Sequence, residues 1–156
     1  MPVDMTWLEN NLFHHTLTFA EKSTLKSLIQ IKTYAKGDII IQENRDVNGV
    51  FVLKFGSVAL EHQKHAQTVR IATLQSGAQL GDMSLFNGEQ ASVTVKALET
   101  CEVYHLPHAS MRYMMEYRQN LSQDIMRNTI RNLSKAIRQM NDNQAYAQQY
   151  MQGVRA

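Results

Sequence analysis

The sequence predicts an α+β fold in which an antiparallel β jelly-roll barrel lies between N-terminal helices and one long C-terminal helix. The first observation is a series of short β-rich runs between residues 39 and 106, separated by glycine and asparagine at intervals of about 8 to 12 residues. The second is the absence of glycine and proline from residues 108 to 149, which indicates helix. No helical segment separates the β-rich runs, so a parallel α/β sheet is not expected.

The chain begins with helical patterns. Thr18 is followed three residues later by Glu21, which is the spacing of a capping box, and apolar residues follow at helical intervals. We therefore predict a helix that starts at Thr18 and a shorter helix before it. The apolar residues that support the two helices are Trp7, Leu8, Leu12, Phe13, Leu25, Leu28 and Ile29.

The middle of the chain predicts the strands of the barrel. Asn48-Gly49 and Asn87-Gly88 are turn signals, and the runs between such signals are rich in β-branched residues. Together with the first helices, these strands make up the first predicted unit, residues 1–110, and the short and long helices of residues 111–156 make up the second. The predicted strands are 39–42, 49–53, 57–60, 68–74, 92–98 and 101–106.

The C-terminal helix carries a regular apolar seam. Its members repeat at alternating intervals of four and three residues, the a/d pattern of a coiled coil, which predicts a parallel homodimer. The alternative is a helix that lies on the barrel, with Leu121, Ile125 and Ile130 supplying the contact. The predicted interface consists of Met126, Ile130, Leu133, Ile137, Met140, Gln144 and Ala147.

Composition limits the function classes. The 156 residues carry a net charge of +2, with −2 in residues 1–110 and +4 in residues 111–156, so the charge alone does not argue for nucleic acid. Arg127, Arg131, Lys135 and Arg138 form a basic face on the long helix, which we interpret as a solvated face beside the coiled coil. One cysteine, Cys101, excludes an intrachain disulfide, and no signal peptide or membrane span is evident, so a cytoplasmic protein without membrane contact is expected.

The sequence lacks the common catalytic and phosphate-loop motifs. It has no nucleophile elbow, HExxH pair or Walker-type phosphate loop, so no enzymatic activity is expected. Three histidine pairs, His14/His15, His62/His65 and His105/His108, lack an accompanying cysteine or carboxylate cluster. We therefore expect neither a metal nor haem.

Four short sequences in this order carry a family resemblance: Gly37-Asp38, Gly56-Ser57-Val58, Gly81-Asp82-Met83-Ser84-Leu85-Phe86 and Thr94-Val95-Lys96-Ala97. With them the chain resembles the cyclic nucleotide-binding domain of catabolite activator and FNR-type bacterial regulators and of the regulatory subunit of cAMP-dependent protein kinase. The resemblance runs from about residue 8 to residue 140.

The resemblance places the phosphate-binding cassette at residues 81–95. In that family a Gly-Glu-Leu start binds the ribose hydroxyl and an arginine neutralises the cyclic phosphate. Here Gly81, Asp82 and Met83 match the start, and Ala91 stands where the resemblance puts the arginine. Standard cAMP or cGMP binding is therefore not expected, and no cofactor is predicted. Side chains with the chemistry to substitute for the arginine are Gln90, Ser92, Thr94 and Arg70.

The sequence as a whole predicts a non-enzymatic, homodimeric regulatory module that acts through contacts with a protein partner that the sequence does not identify. One alternative is a sensor of cyclic nucleotides or another small ligand through an altered pocket. Another is the effector half of a transcription regulator, because only fifteen residues follow Asn141 and no helix-turn-helix is recognised in them. Direct DNA binding is accordingly not expected.

Overall fold

The computed structural model describes the backbone of residues 2–155 and the side chains of residues 2–144. The predicted capping box is confirmed, since Glu21 N donates to Thr18 Oγ1 at 3.1 Å and Thr18 N donates to Glu21 Oε1 at 3.0 Å. The helical segments are α1 (Met5–Leu8), a π-helical turn (Glu9–Phe13), α2 (Phe19–Leu28), α3 (Asp82–Asn87), α4 (His108–Tyr117) and α5 (Gln119–Arg155).

In the part of the chain that the structure describes, eight strands form two four-stranded antiparallel sheets. Their orders are β1-β8-β3-β6 and β2-β7-β4-β5, so the predicted α+β class with antiparallel sheets is confirmed. The strands are β1 (Gln30–Tyr34), β2 (Ile39–Ile41), β3 (Val50–Phe55), β4 (Ser57–Lys64), β5 (Gln67–Gln75), β6 (Gln79–Leu80), β7 (Thr94–Ala97) and β8 (Cys101–Leu106).

Strand β1 is not foreseen from the sequence pattern. It follows α2 after the single residue Ile29, with no turn signal between them, and its sequence Gln-Ile-Lys-Thr-Tyr has little apolar alternation. The strand is defined by its partner, because all five residues pair with β8, from Gln30 opposite His105 to Tyr34 opposite Cys101. Pairing with a strand so distant in sequence leaves no local signal.

The first sheet is buried on both faces. Val50 and Val52 of β3 pack into a core shared with the helices, whereas Phe51 and Leu53 pack into a second core against the other sheet. This follows from the alternation of side chains along a strand. Each fully buried aliphatic side chain contributes about 1.5 to 3 kcal/mol to folding. The helical side chains in the first core include Leu8, Leu25, Met111, Met114, Leu121 and Ile125.

The long helix α5 has a packed beginning and an exposed continuation. Leu121 and Ile125 are fully buried, so the start of the helix packs on the domain, whereas Ile130, the third residue predicted for this contact, is 65% exposed. The predicted seam is exposed in the single chain, with exposed fractions between 38% and 68%. Gln144 is also exposed, and Ala147 lies outside the described side chains. We call the following set the apolar stripe: Met126, Ile130, Leu133, Ile137 and Met140.

A search of the described residues for membrane-spanning helices finds no helix that is both long enough and apolar enough to cross a bilayer.

Candidate functional site

A cavity of about 220 Å³ lies between α3 and the second sheet. Its wall is mostly apolar, with side chains contributed by strands β2, β4, β5 and β7 and by the segment before β7. The residues of the predicted cassette that line it are Gly81, Asp82, Met83, Ser84, Ala91, Ser92, Val93 and Val95. The structure thus brings together the two ends of the segment that the resemblance identified.

Gly81 sets the direction of α3. Its φ is +76°, in the left-handed region where glycine is favoured. A Cβ at this position would lie 2.8 Å from Gly49 O and 2.9 Å from Val47 Cγ1. The chain can therefore make this close approach and start α3 beside the cavity only with glycine at position 81.

Asp82 is buried and its carboxylate is held by two hydrogen bonds. Met83 N donates to Asp82 Oδ1 at 3.0 Å, and Gln79 Nε2 donates to Asp82 Oδ2 at 2.8 Å. The first bond uses a main-chain N–H at the start of α3, where unpaired donors would otherwise attract an anion. The Asp82 carboxylate therefore satisfies one of the main-chain donors at the start of α3.

Gln79 connects this carboxylate to α5. Its Nε2 also donates to Thr129 Oγ1, while Asn128 Nδ2 donates to Gln79 Oε1 at 2.9 Å. Thr129 Oγ1 in turn donates to Ile125 O at 3.0 Å. Gln79, Asp82, Asn128 and Thr129 are all at least nine-tenths buried, and we call these four residues the polar bridge. The polar bridge links the cavity to the long helix. All three hydrogen bonds of the Gln79 side chain form with the same orientation of its amide group, in which Nε2 donates and Oε1 accepts.

Ala91 occupies a buried position in the wall of the cavity. Its main chain is fixed on both sides, since Ala91 N donates to Arg45 O at 3.0 Å and Asn44 N donates to Ala91 O at 2.8 Å. A longer side chain at position 91 would therefore extend from the wall of the cavity. The methyl group that is present contributes apolar surface and no hydrogen bond.

Three of the candidate substitutes for the missing arginine lie outside the cavity wall. Gln90 Nε2 is 3.5 Å from Asp46 Oδ1 at the surface, and Thr94 Oγ1 accepts from Glu43 N at 3.1 Å. Arg70 is exposed on β5. Of the substitutes, only Ser92 is among the lining residues.

A register shift explains the placement of Arg70. On β4 and β5, Leu60 pairs with Ala72 but the next residue, Glu61, pairs with Arg70, so Ile71 is the extra residue. Paired residues share a face and successive residues alternate. Leu60 lines the cavity, so Glu61 and Arg70 lie on the opposite face.

The cavity contains no positive side chain among the residues that the structure describes. Asp82 is the one charged group in its wall, and no Lys, Arg or His takes part. A cyclic phosphate carries a full negative charge that needs paired donors or a cation when it is removed from water. The described wall offers the hydroxyl groups of Ser84 and Ser92 but no cationic side chain for this role.

The histidine pairs make separate contacts. His14 Nε2 lies 3.2 Å from Asn128 Oδ1, and His15 Nε2 lies 2.7 Å from Asp124 Oδ2, a contact that raises the pKa of His15. His62 contacts Glu43, and burial lowers the pKa of His105. Within the described part of the chain, no three His, Cys, Asp or Glu side chains are grouped to hold a metal ion.

Gln79, Asn128 and Thr129 are not among the residues singled out from the sequence. Gln79 is in a strand of two residues, and two of its three side-chain hydrogen bonds are to side chains 49 and 50 positions away. No motif marks such a contact. The one local signal is the position of Gln79 two residues before Gly81.

Comparison with known proteins agrees with this geometry. The sequence profile described as "Cyclic nucleotide-binding domain" matches residues 31–118, which is more than half of the chain. No curated protein matches the chain closely enough to count as a relative.

Solved structures share the fold at low sequence identity. A cyclic nucleotide-binding domain from Methylobacillus flagellatus has a TM-score of 0.76 at 16% identity, covering 88% of this chain and 78% of its own. The catabolite activator protein of Thermus thermophilus has a TM-score of 0.70 at 21% identity, covering 84% of this chain and 62% of its own.

A third similar structure is the regulatory subunit of a cAMP-independent protein kinase A from Trypanosoma brucei. It has a TM-score of 0.68 at 17% identity and covers 82% of this chain and 45% of its own. The structure is of a variant with three substitutions, one of which introduces an arginine, bound to cAMP in its A site. The present chain thus spans less than two thirds of the Thermus and Trypanosoma chains. The profile match over more than half its length shows that the chain belongs to the cyclic nucleotide-binding domain family.

Proposed function

We propose that this chain is a non-enzymatic, homodimeric regulatory module that acts through protein contacts and does not bind cAMP in the manner of its family. The observation that carries the proposal is the described cavity wall, which contains no cation and has Ala91 where the resemblance puts an arginine. The single cysteine in the sequence is compatible with a cytoplasmic location, which we include in the proposal.

The energetic argument concerns the phosphate. Each charge-assisted hydrogen bond from an arginine is worth about 1.5 to 3 kcal/mol, so losing two such bonds lowers affinity by more than about a hundredfold. The related Trypanosoma subunit supports the idea that this fold can serve regulation without cAMP, because it is described as cAMP-independent.

Calorimetric titration with cAMP tests the ligand part of the proposal. We expect no saturable heat from the parent chain at micromolar cAMP. The double variant Ala91→Arg with Asp82→Glu should bind, since it places a guanidinium in the wall and lengthens the carboxylate. The matched control is Gln90→Arg with Asp82→Glu, which adds the same charge at a position outside the cavity wall. A saturable micromolar isotherm from the parent would refute this part.

The apolar stripe supports the dimer. A sustained a/d pattern on an exposed helix favours a second copy of the same helix, because each stripe position then faces its symmetry mate. The stripe continues past Thr129, which is the last buried residue of α5 among those whose side chains the structure describes. We therefore propose that two α5 helices pair in parallel along the stripe.

Sedimentation of the parent and two variants tests the dimer. Leu133→Glu should be monomeric, because two carboxylates would face each other across the seam without water. Ser134→Glu, the matched control, adds the same charge one position away from the stripe and should remain dimeric. Circular dichroism should show folded protein in all three. A monomeric parent, or a dimeric Leu133→Glu variant, would contradict the proposed pairing.

A second candidate function is a small-ligand sensor, and the polar bridge favours it. Asp82 lines the cavity and is joined through Gln79 to Thr129 and Asn128 on α5. A change at Asp82 would thus reach the helix that carries the apolar stripe. This function differs from the first in requiring a ligand.

A further inference from the structure

We propose that the cavity beside α3 binds a small molecule with an apolar body, no negative charge and one hydrogen-bond donor directed at Asp82. The inference rests on the proposed function in one respect: it takes the loss of cyclic nucleotide recognition as its starting point. It adds the class of ligand that the same cavity can accept.

The size and walls of the cavity define the body of the ligand. Its volume of about 220 Å³ is below the roughly 300 to 1,000 Å³ of pockets for drug-sized ligands. Aliphatic side chains of the second sheet, among them Ile41, Leu60 and Val95, provide much of the lining. One ring or a short branched chain fits these limits.

Asp82 defines the polar group of the ligand. An ionised carboxylate has about four acceptor positions, and the contacts with Met83 N and Gln79 Nε2 use two of them. Acceptor capacity therefore remains on the charged group of the wall. A donor such as a hydroxyl or ammonium can use it, whereas an anion meets a buried like charge.

Three probes with the same ring separate the effect of charge from that of size: benzyl alcohol, benzylamine and benzoate. Their binding to the parent dimer is measured by titration followed by ¹H–¹⁵N NMR at neutral pH. We expect benzyl alcohol and benzylamine to shift the amide signals of cavity residues such as Met83 and Ala91 in a saturable way. Benzoate should bind at least about tenfold more weakly than benzylamine, because it is the probe repelled by Asp82.

Two variants place the binding in the cavity. Asp82→Asn should remove the tenfold preference for benzylamine over benzoate, whereas Glu89→Gln, which removes one exposed charge outside the cavity wall, should keep it. Ala91→Phe fills the cavity and should abolish the shifts from all three probes. The dispersion of the NMR spectrum shows whether each variant is folded, and Ala91→Phe provides the test if Asp82→Asn is not.

Each alternative result has a definite meaning. The ligand inference is overturned if benzoate binds as tightly as benzyl alcohol, if no probe shifts the cavity signals at millimolar concentration, or if the shifts persist in folded Ala91→Phe. Failure of the proposed function is seen separately, as cAMP binding by the parent or as a monomer in sedimentation. Absence of probe binding in a cAMP-silent dimer would therefore overturn this inference alone.

Discussion

Replacing Gln79 by leucine should destabilise the protein strongly, although position 79 is buried and leucine is apolar. Gln79 joins the cavity to α5 by three side-chain hydrogen bonds, to Asp82, Thr129 and Asn128. Leucine has a similar size but no donor or acceptor. The substitution would leave a buried carboxylate and a buried amide without their partner, which costs more than the bonds themselves contribute.

The magnitude follows from the type of each bond. The bond to the ionised Asp82 is worth about 1.5 to 3 kcal/mol, and the two neutral bonds about 0.5 to 1.5 kcal/mol each. Greater burial of apolar surface by leucine offsets about 1 kcal/mol of this loss. We therefore expect the free energy of unfolding to fall by about 2 to 5 kcal/mol.

Urea unfolding followed by circular dichroism measures this loss at a fixed chain concentration. Gln63→Leu is the matched control, because Gln63 is exposed and its side chain makes one surface hydrogen bond, to Thr68. The control should change stability by less than about 0.5 kcal/mol. If Gln79→Leu costs less than about 1 kcal/mol, the polar bridge does not hold α3 and α5 together as described.

Other predictions concern titration and backbone geometry. The hydrogen bond with Asp124 raises the pKa of His15 above 6.5. The contribution of protonated His15 to the free energy of unfolding is therefore complete below pH 6.5 and is lost as pH rises through the folded-state pKa. In urea unfolding, His15→Gln should lack this dependence of stability on pH. Burial lowers the pKa of His105, so the stability of the folded protein that depends on neutral His105 is lost as pH falls below 6.5. A midpoint at or above pH 6.5 for His105 in an NMR titration would contradict this. Gly49→Ala should prevent stable folding, because its Cβ would lie 2.0 Å from the main-chain oxygen of Leu106. Gly37→Ala, whose Cβ would have no atom within 4 Å, should lower the free energy of unfolding by about 1 to 2 kcal/mol, as measured by thermal unfolding.

The elements that sequence reasoning predicts well are those with local signals. The capping box at Thr18 and Glu21 involves residues three apart, and β8 has the predicted bounds because alternation and Pro107 define both its face and its end. The family resemblance is likewise carried by short local sequences, and the profile match confirms it. Patterns of this kind are fixed by neighbouring residues and need no knowledge of the tertiary structure.

The remainder depends on pairs that are distant in sequence. Strand β1 exists because β8 is beside it, and Gln79 becomes important because α5 brings Thr129 within hydrogen-bond distance. Arg70 would share the face of Ala72 in a regular strand, and the extra residue in β5 moves it to the other face. The sequence identifies Asp82 and Ala91 as altered positions, but the hydrogen bond from Met83 N to Asp82 appears only once the backbone of α3 is known.

The extra residue in β5 also bears on aggregation. β5 is the outer strand of its described sheet, so one row of its backbone donors and acceptors has no partner strand. Val69 and Ile71 are exposed on this strand, a composition that would favour the addition of a strand from another molecule. The irregularity at Ile71 interrupts the even spacing that an incoming strand must match, and the charge of Arg70 lies beside it. The same register shift that turns Arg70 away from the cavity should therefore disfavour the addition of another strand along this nine-residue edge.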